Sequence, residues 1–320
     1  MELVIVGSIG YDDIETPIAT GSDILGGSAV HAGVSSSFHL PETPEGDRRV
    51  GLVAPIGNDF SHSDQSKLED LGIDFSGVEK LPGNTFRWSG RYSGTMENVE
   101  TISTEVNVLG DFSPVIPTSW RSPNVLFCAN THPASQVLVL DQCPGSEITA
   151  IDTFMLWIET EFEELSSALR KADLAILNEE EVCAISGEDF FMKAIEPILA
   201  GTCLHGGESA GRGPRGLIIK RGSSGVFAHL PCGIISLPSY PIAEVVDPTG
   251  CGDSFAGALL ANLSRRKGVL NDIESMRDAM VHATVTSSFT IQGLGTNKLQ
   301  SLERGLYHAR MDSFRRIVGL

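Results

Sequence analysis

The chain of 320 residues is 41% hydrophobic and 20% charged, which excludes an intrinsically disordered protein and allows a large core. Its 23 Lys and Arg against 41 Asp and Glu give a net charge of −18, so we expect neither nucleic acid nor an anionic membrane as a partner. No apolar run reaches the roughly 20 residues that a membrane-spanning helix needs. The acidic Glu2, followed by the apolar residues 3–6, indicates a buried strand rather than a secretory leader, which predicts a soluble, cytoplasmic protein.

The first part of the chain alternates short apolar runs with polar turns. The predicted elements are, in order, a buried strand at 3–9, an exposed hairpin within 12–25, a helix at 28–38, a polar loop at 40–49, a buried strand at 50–56 and a helix at 61–71. Strands that alternate with helices are typical of a parallel sheet covered on both faces.

Residues 84–109 interrupt this rhythm with the period-two pattern of antiparallel strands. We expect them to form a small separate sheet with the hairpin. Phe86, Trp88 and Tyr92 project on one face of the first strand, and Arg87 and Arg91 project on the other. The aromatic face could stack on a sugar or a base, and the arginine face could hold a substrate phosphate. Either face could instead attach the small sheet to the rest of the molecule, and the sequence leaves this choice open.

The α/β pattern then resumes to the end of the chain. Predicted strands lie at 124–129, 148–152, 174–177, 217–220 and 226–229, and predicted helices at 134–142, 161–170, 179–186, 190–200, 252–266, 272–290 and 300–316. The glycine-rich stretch 201–216 lacks the Lys-Ser/Thr end of a P-loop and is predicted to be a surface loop.

The six cysteines do not indicate a disulfide framework or a zinc ribbon, because no two of them form a C-x-x-C pair. We expect reduced, mostly buried thiols. Cys251 is the exception, because it lies between two glycines at a predicted helix start. The positive end of a helix dipole lowers the pKa of a thiol, which predicts a reactive Cys251. A buried and inert thiol is the alternative.

The segment 247–253 carries the clearest chemical signal. Gly250 and Gly252 allow a sharp turn that presents successive backbone N–H groups, including that of Cys251, at the start of a helix, which makes an anion pocket. Asp253 lies inside this pocket, where a carboxylate is poorly suited to bind an anion. It is well suited to take a proton from a hydroxyl that attacks the anion, as phosphoryl transfer to an alcohol requires. The structural alternative is an Asp that merely caps the helix.

The motif Asp247-x-Thr249-Gly250-Cys251-Gly252-Asp253 resembles the C-terminal signature of the ribokinase-like (PfkB) carbohydrate kinase family, with Cys251 where the family usually has Ala. The resemblance implies an α/β fold with a central, mostly parallel sheet, helices on both faces and a small β-sheet lid. It implies a single kinase domain over residues 1–320, with the lid formed roughly by 12–25 and 84–110. Such a lid would close over the substrate and exclude water.

The family resemblance extends to the N-terminal region, where it implies a substrate site. Asp12 resembles the family's sugar-binding Asp, and Gly26-Gly27 resembles its GG motif. His31 stands where the family usually has Asn, which puts one substrate contact in doubt. The structural alternatives are an Asp that stabilises a turn and glycines that only begin a helix.

Asn178 and Glu181 match the family's N-x-x-E motif, which is associated with Mg²⁺ and phosphate. The two residues lie one helical turn apart, and Mg²⁺ tends to keep its waters, so Glu181 is expected to act through water. A capping Asn followed by solvated acids is the structural alternative.

The resemblance also implies nucleotide-binding positions. Lys220, Gly222 and Gly225 match the strand and turn beside the nucleotide, and His282 matches a position that often contacts the adenosine. Asp247 and the backbone near Thr249 resemble a monovalent-cation site, such as one for K⁺, that some family members have.

Together these features predict an ATP- and Mg²⁺-dependent kinase that phosphorylates a hydroxyl of a small sugar or sugar-like substrate. Asp253 is the general base, and the backbone of residues 250–252 is the anion hole. The alternatives are a nucleoside kinase of the same fold and an inactive nucleotide-binding homologue, which the departures at His31 and Cys251 keep open. The resemblance also makes a homodimer through the lid plausible.

Overall fold

A computed structural model describes residues 1–96 and 98–320. Its centre is a sheet whose strands bury both faces, as their uninterrupted apolar sequences require. In the first strand, Leu3 and Ile5 enter one hydrophobic core, whereas Val4 and Val6 enter a second core on the opposite face. The sheet therefore separates two cores, each covered by helices.

The strands are β1 Leu3–Val6, β2 Gly10–Glu15, β3 Thr20–Gly26, β4 Val50–Ile56, β5 Ile73–Lys80, β6 Phe86–Ser93, β7 Asn98–Glu105, β8 Val125–Cys128, β9 Ile148–Ile151, β10 Leu174–Asn178, β11 Gly216–Lys220, β12 Val226–Leu230 and β13 Gly233–Leu237. The helices are α1 Ser28–His39, α2 His62–Asp70, α3 Pro133–Gln142, α4 Met155–Thr160, α5 Phe162–Lys171, α6 Glu179–Ser186, α7 Phe191–Ala200, α8 Cys251–Leu263, α9 Ile273–Thr290, α10 Asn297–Gln300 and α11 Arg304–Val318.

Within the described residues, the large sheet has nine strands in the order β13-β12-β11-β10-β9-β8-β1-β4-β5. The strands from β11 to β5 are parallel, and β12 and β13 extend that edge as antiparallel strands. Residues of α1, α8, α9 and α11 contribute to one core, and residues of α3, α5, α6 and α7 contribute to the other. The predicted α/β class is confirmed.

The described part of the chain also forms a small sheet in the order β3-β2-β6-β7, as the sequence predicted. The hairpin β2–β3 is antiparallel, and β6 lies parallel to β2 and antiparallel to β7. The pairing places Trp88 opposite Asp12 and Arg87 opposite Tyr11, so each pair shares one face of the sheet.

Several predicted boundaries were wrong for local reasons. The strand predicted at 3–9 ends at Val6, because the backbone of Ser8 bonds instead to the start of α1, through Ser28 Oγ and the N–H of Ala29. The edge strands β5 and β13 were not predicted, since their mixed burial hides the period-two pattern. The second small-sheet strand was predicted at 100–109 but spans Asn98–Glu105, and residues 107–109 form a 3-10 turn.

The glycine-rich segment 201–216 is a largely exposed loop, as predicted. The Arg170 guanidinium donates to the carbonyl oxygens of Gly201, Gly207 and Gly211, which ties this loop to α5. None of the helices in the described residues is long and apolar enough to cross a bilayer.

Candidate active site

The segment 247–253, the anion turn, is a tightly held turn at the start of α8. Gly250 is the residue before the helix and has a φ of 70°, a conformation that favours glycine. Asp247 is fully buried, and its two carboxylate oxygens accept hydrogen bonds from the N–H groups of Thr249 (2.8 Å) and Gly295 (2.9 Å). Both oxygens of the predicted cation-site residue Asp247 are therefore engaged in holding the turn.

Not all three backbone N–H groups of the predicted anion hole are free to bind an anion. The N–H of Cys251 donates to Pro248 O at 3.2 Å, because the turn closes on itself at this point. The N–H of Gly252 has no partner inside the helix, as is general for a first turn. The turn therefore already engages one of the three N–H groups of the predicted anion hole, that of Cys251.

His31 lies against this turn, although the two are far apart in sequence. A Cβ placed on Gly250 would lie 2.1 Å from His31 Nδ1, so the imidazole touches the glycine backbone. Its side chain is buried, and neither ring nitrogen has a hydrogen-bond partner among the described residues. Burial lowers the pKa of His31 to about 4 although Asp247 opposes the shift, so the ring is neutral at physiological pH.

The predicted substrate residues of the hairpin lie together. A Cβ on Gly26 would lie 2.0 Å from Asp12 Oδ2, so the carboxylate packs directly on the glycine. Gly27 has a φ of 95°, and a Cβ there would lie 2.5 Å from Ser8 O. Burial, followed by the charges of Asp247 and Asp253, raises the pKa of Asp12 to about 8. The structure thus brings the hairpin acid close to the acids of the anion turn.

Asp253 occupies the first turn of α8, as the motif predicted. Burial raises its pKa, and the nearby Lys220 ammonium opposes that shift. A Cβ on the intervening Gly252 would lie 3.2 Å from Lys220 Nζ, so the lysine reaches the same turn. A carboxylate whose proton affinity is increased in this way is suited to general-base work.

Sequence reasoning missed Asp152. Its carboxylate lies at the carboxyl end of β9, and Oδ2 accepts a hydrogen bond from Lys220 Nζ at 2.6 Å. The side chains of Lys220 and Asp152 are only 17% and 6% exposed, which makes this a buried ion pair. Burial raises the pKa of Asp152, and Lys220 opposes that shift. The position of Asp152 directly after a parallel strand could have indicated this role, because ligand-binding residues follow the carboxyl ends of such strands.

Asn178 and Glu181 form a capping box at the start of α6. Asn178 Oδ1 accepts from the N–H of Glu181, and Glu181 Oε2 accepts from the N–H of Asn178, both at 2.8 Å. Glu181 is buried rather than solvated, and burial, followed by the charge of Asp152, raises its pKa to about 8. The capping alternative is therefore correct for Asn178, but Glu181 also belongs to the buried acid cluster.

This acid cluster fits a divalent cation. Asp152, Glu181 and Asp253 supply three carboxylates around the single ammonium of Lys220, so their negative charge is only partly neutralised. Hard oxygen ligands of this kind suit Mg²⁺, which keeps several waters. Among the residues described, no group of three or more His, Cys, Asp or Glu side chains is arranged to hold a metal ion directly.

A cleft of about 920 Å³ opens beside these residues. The predicted positions Asn178, Lys220, Gly222 and Gly225 line it, together with Cys251 and Gly252 of the turn. Its other wall is largely apolar and contains Tyr240, Pro241, Ile242, Val245 and Ile291. Strand ends, a basic side chain and an apolar wall therefore meet in one concave site, which is the usual form of a ligand pocket.

His282, predicted to contact the adenosine, does not line this cleft. Thr284, Ser287 and Ser288 of α9 line the cleft, whereas His282 lines a separate cavity. Two residues along a helix correspond to a rotation of about 200°, so His282 and Thr284 project on nearly opposite sides. His282 Nδ1 lies 2.5 Å from the Tyr307 hydroxyl.

The predicted low pKa of Cys251 is wrong. Burial and then the charges of Asp247 and Asp253 raise the pKa of its thiol well above the usual range. The Sγ atom lies 3.9 Å from Ser287 O, the distance of a weak hydrogen bond. Burial, together with the neighbouring carboxylates, outweighs the helix dipole, so the thiol stays protonated.

The aromatic and the arginine side chains of β6 lie on opposite faces of the small sheet, as the sequence predicted. Arg87 pairs with Asp23 and Asp59, and its guanidinium lies over the Tyr11 ring. Arg91 pairs with Glu15 at 2.9 Å. The arginine face is therefore occupied by the protein's own acids. The aromatic face carries Trp88 beside Asp12, and thus faces the site.

Comparison with known proteins finds kinases. Residues 149–302 match the family model described as pfkB family carbohydrate kinase. Among curated proteins, the chain is 29% identical over 274 residues to a cytidine kinase of Thermococcus kodakarensis, which covers 83% of this chain and 89% of the relative.

Solved structures show the same fold. A ribokinase from Giardia lamblia superposes with a TM-score of 0.78 at 18% identity, covering 98% of this chain and 99% of that one. A protein from E. coli described as a ribokinase II was solved in complex with ATP and Mg²⁺. It superposes with a TM-score of 0.74 at 19% identity, covering 98% of this chain and 99% of that one. Residues 149–302 thus match the pfkB family of carbohydrate kinases, and the fold of nearly the whole chain is similar to that of solved ribokinases.

Proposed function

We propose that the protein transfers the γ-phosphoryl group of ATP to a hydroxyl of a small sugar or sugar-containing acceptor. The observation that carries this proposal is the position of Asp253. Its carboxyl, with a raised pKa, stands in the first turn of α8 beside the anion turn, Lys220 and the cleft. A base next to an anion site serves transfer to an alcohol, because the attacking hydroxyl must lose its proton.

Each residue of the site has a distinct part in this proposal. Asp253 takes the proton of the acceptor hydroxyl, and Asp12 holds neighbouring hydroxyls of the acceptor against Gly26. The N–H of Gly252 and the Lys220 ammonium stabilise the charge on the phosphoryl group. The small sheet covers the acceptor and excludes water, which disfavours transfer to water.

Mg²⁺ would be held, through water, by the carboxylates of Glu181 and Asp152, with the amide of Asn178 beside them. When bound, it would neutralise phosphate charge. Lys220 already supplies one fixed positive charge at this place, and the capping box fixes the orientation of the Glu181 carboxylate. A K⁺ ion at Asp247 and Thr249 stays a prediction, and it would have to share Asp247 oxygens that already accept hydrogen bonds from backbone N–H groups.

A nucleoside is the second candidate acceptor. Trp88 lies opposite Asp12 on the face of the small sheet that is turned to the site, where its ring could stack on a base. The relative named cytidine kinase supports this candidate by sequence. A free sugar would use Asp12 in the same way and would not need the indole, whose ring packs over Gly90 and whose Nε1 lies 3.4 Å from Thr101 Oγ1.

The proposal is tested by measuring ADP formation with a panel of free pentoses, hexoses and nucleosides. We expect acceptor-dependent turnover, and expect Asp253→Asn to lower it by at least about 10²-fold, the usual loss for a general base. Binding of a non-hydrolysable ATP analogue to this variant should be unchanged. ADP formation that no acceptor increases would instead support an inactive nucleotide-binding homologue.

A further inference from the structure

A second cavity of about 410 Å³ lies apart from the cleft, and its lining is basic. Three arginines and three histidines surround it: Arg265, Arg266, Arg304, His39, His282 and His308. Such a cluster is unexpected on a chain with a net charge of −18. Concentrating cations in one concavity costs repulsion that a bound anion would relieve.

Part of this positive charge is not neutralised by the protein. Asp278 is the acid of the lining, and it already pairs with Arg266 at 3.0 Å and with Arg315 at 2.7 Å. Neither Arg265 nor Arg304 forms an ion pair with any acid in the described ranges. Two guanidinium groups therefore remain available to a ligand at the cavity.

The position of Arg304 is not explained by helix stability. It stands in the first turn of α11, where the positive end of the helix dipole disfavours a cation. Its guanidinium lies 4.0 Å from the centre of the Phe38 ring, which holds it in place over the cavity wall. The helix end and the guanidinium thus add positive potential at the same point, which suits an anion.

The histidines are held by partners that fix their rings. His39 Nε2 lies 2.8 Å from Thr286 Oγ1, and His282 Nδ1 lies 2.5 Å from the Tyr307 hydroxyl. Burial, then the neighbouring His282, Arg304 and Arg265, lower the pKa of His39, and burial likewise lowers that of His282, so the positive charge of the cavity comes from its arginines. The cavity therefore combines two oriented imidazole rings with the guanidinium groups of its arginines.

The cavity is distinct from the active site. His31 touches the anion turn and His39 lines the cavity, and both lie on α1. Eight residues of helix separate them, which is about 12 Å along the axis. The helix α8 likewise begins at the anion turn and brings Asn262 to the cavity near its other end.

We propose that this basic cavity binds the phosphate group of a small molecule, either inorganic phosphate or a phosphate monoester. Arginine pairs with phosphate through two parallel hydrogen bonds, and two unneutralised guanidinium groups supply the donors. The volume is within the range of small-ligand pockets, so a monoester with a small organic part also fits.

The test follows the NMR signals of ¹³C-labelled histidine during titration of the intact protein with inorganic phosphate at constant ionic strength. We expect the His282 and His308 signals to shift in a saturable manner, while those of His205 and His229, outside the cavity, stay fixed. His31 reports phosphate binding at the anion turn separately. Signals that do not move, or that sulfate and chloride move equally, would overturn the proposal.

Substitutions of the two unpaired arginines test whether they bind the phosphate. Replacing Arg265 and Arg304 by Gln should weaken phosphate binding by about tenfold or more, since each charge-assisted pair is strong. Arg316→Gln, an exposed arginine later in α11, is the matched control and should bind as the wild type does. If the double variant unfolds because the Phe38 contact is lost, Arg265→Gln alone decides. Equal affinity in that variant and the wild type would contradict the proposal.

Parallel titrations with AMP and ribose 5-phosphate distinguish the two sources of phosphate. Tighter binding of a monoester than of inorganic phosphate would identify an ester ligand. Equal or weaker binding would identify inorganic phosphate, because the organic part then adds nothing.

Discussion

The hydroxyl of Tyr92 lies 3.0 Å from the hydroxyl of Thr249, which joins the small sheet to the turn that precedes α8. The two residues are 157 positions apart in sequence. The bond means that the aromatic face of β6 is held over the anion turn. It also engages the side chain of Thr249, a residue whose backbone is predicted to help hold a monovalent cation.

If this bond keeps the small sheet closed, Tyr92→Phe should lower kcat/KM for the acceptor about 2- to 10-fold, the value of one ordinary hydrogen bond. The affinity for an ATP analogue should not change. Steady-state kinetics with varied acceptor make the measurement, and Thr249→Ser, which keeps the hydroxyl, is the control. Equal kcat/KM in wild type and Tyr92→Phe would show that the bond does not contribute to closure.

Lys220 should set the pH dependence of the reaction. Its charge opposes the burial that raises the pKa of Asp253, so Lys220→Met should raise that pKa further. The rising limb of kcat/KM against pH should then move to higher pH, because the base must lose its proton to act. If the rising limb of the pH profile does not move in Lys220→Met, either Asp253 is not the base or Lys220 does not affect its pKa.

The same substitution should destabilise the protein. It leaves Asp152 buried without its partner, and breaking a buried ion pair typically costs about 3–5 kcal/mol. Urea unfolding measures the loss. Lys193→Met, an exposed lysine on α7, should leave both the pH profile and the free energy of unfolding unchanged.

Glu181→Gln should raise the Mg²⁺ concentration needed for half-maximal rate, with little change in KM for the acceptor. Gln also completes a capping box, so α6 should keep its start and the change should report charge alone. Titration of turnover with Mg²⁺ tests this, with the exposed Asp189→Asn beyond the end of α6 as the control. If the Mg²⁺ titrations of the Gln variant and the wild type coincide, Glu181 does not contribute to the metal site.

Asp12 should make the ligand-free protein less stable as pH rises. Its folded pKa of about 8 exceeds the unfolded value of roughly 4, so the folded state binds the extra proton between these values. That contribution is complete below pH 4 and is lost as pH rises to about 8. Asp12→Asn should therefore raise the melting temperature at pH 8 more than at pH 5.

Calorimetry at the two pH values measures this difference, and the exposed Asp111→Asn should show none. A gain in melting temperature that is the same at both pH values would mean that Asp12 is already ionised in the folded protein.

Cys251 should resist alkylation by iodoacetamide at neutral pH, because its raised pKa leaves almost no thiolate. Cys251→Ala should keep turnover, since only the side chain changes. Peptide mass spectrometry over a time course, compared with free glutathione as a standard thiol, gives the rate. Labelling of Cys251 as fast as glutathione, with loss of activity that ATP prevents, would restore the idea of a reactive thiol.

The sequence by itself determined the α/β class, the small sheet and the anion turn, because these depend on local patterns. Uninterrupted apolar runs such as residues 3–6 need two buried faces, and paired glycines before a helix need a turn. Those properties are carried by neighbouring residues along the chain and require no knowledge of distant partners.

The tertiary structure alone decided the charges and contacts of the site. Asp152 and Lys220 are 68 positions apart, and no period in the sequence links them. The pKa of Cys251 depends on Asp247 and Asp253 and on burial, and the side of α9 on which His282 lies depends on how that helix packs. Electrostatic energies depend on distances through space, and a sequence motif specifies neighbours along the chain only.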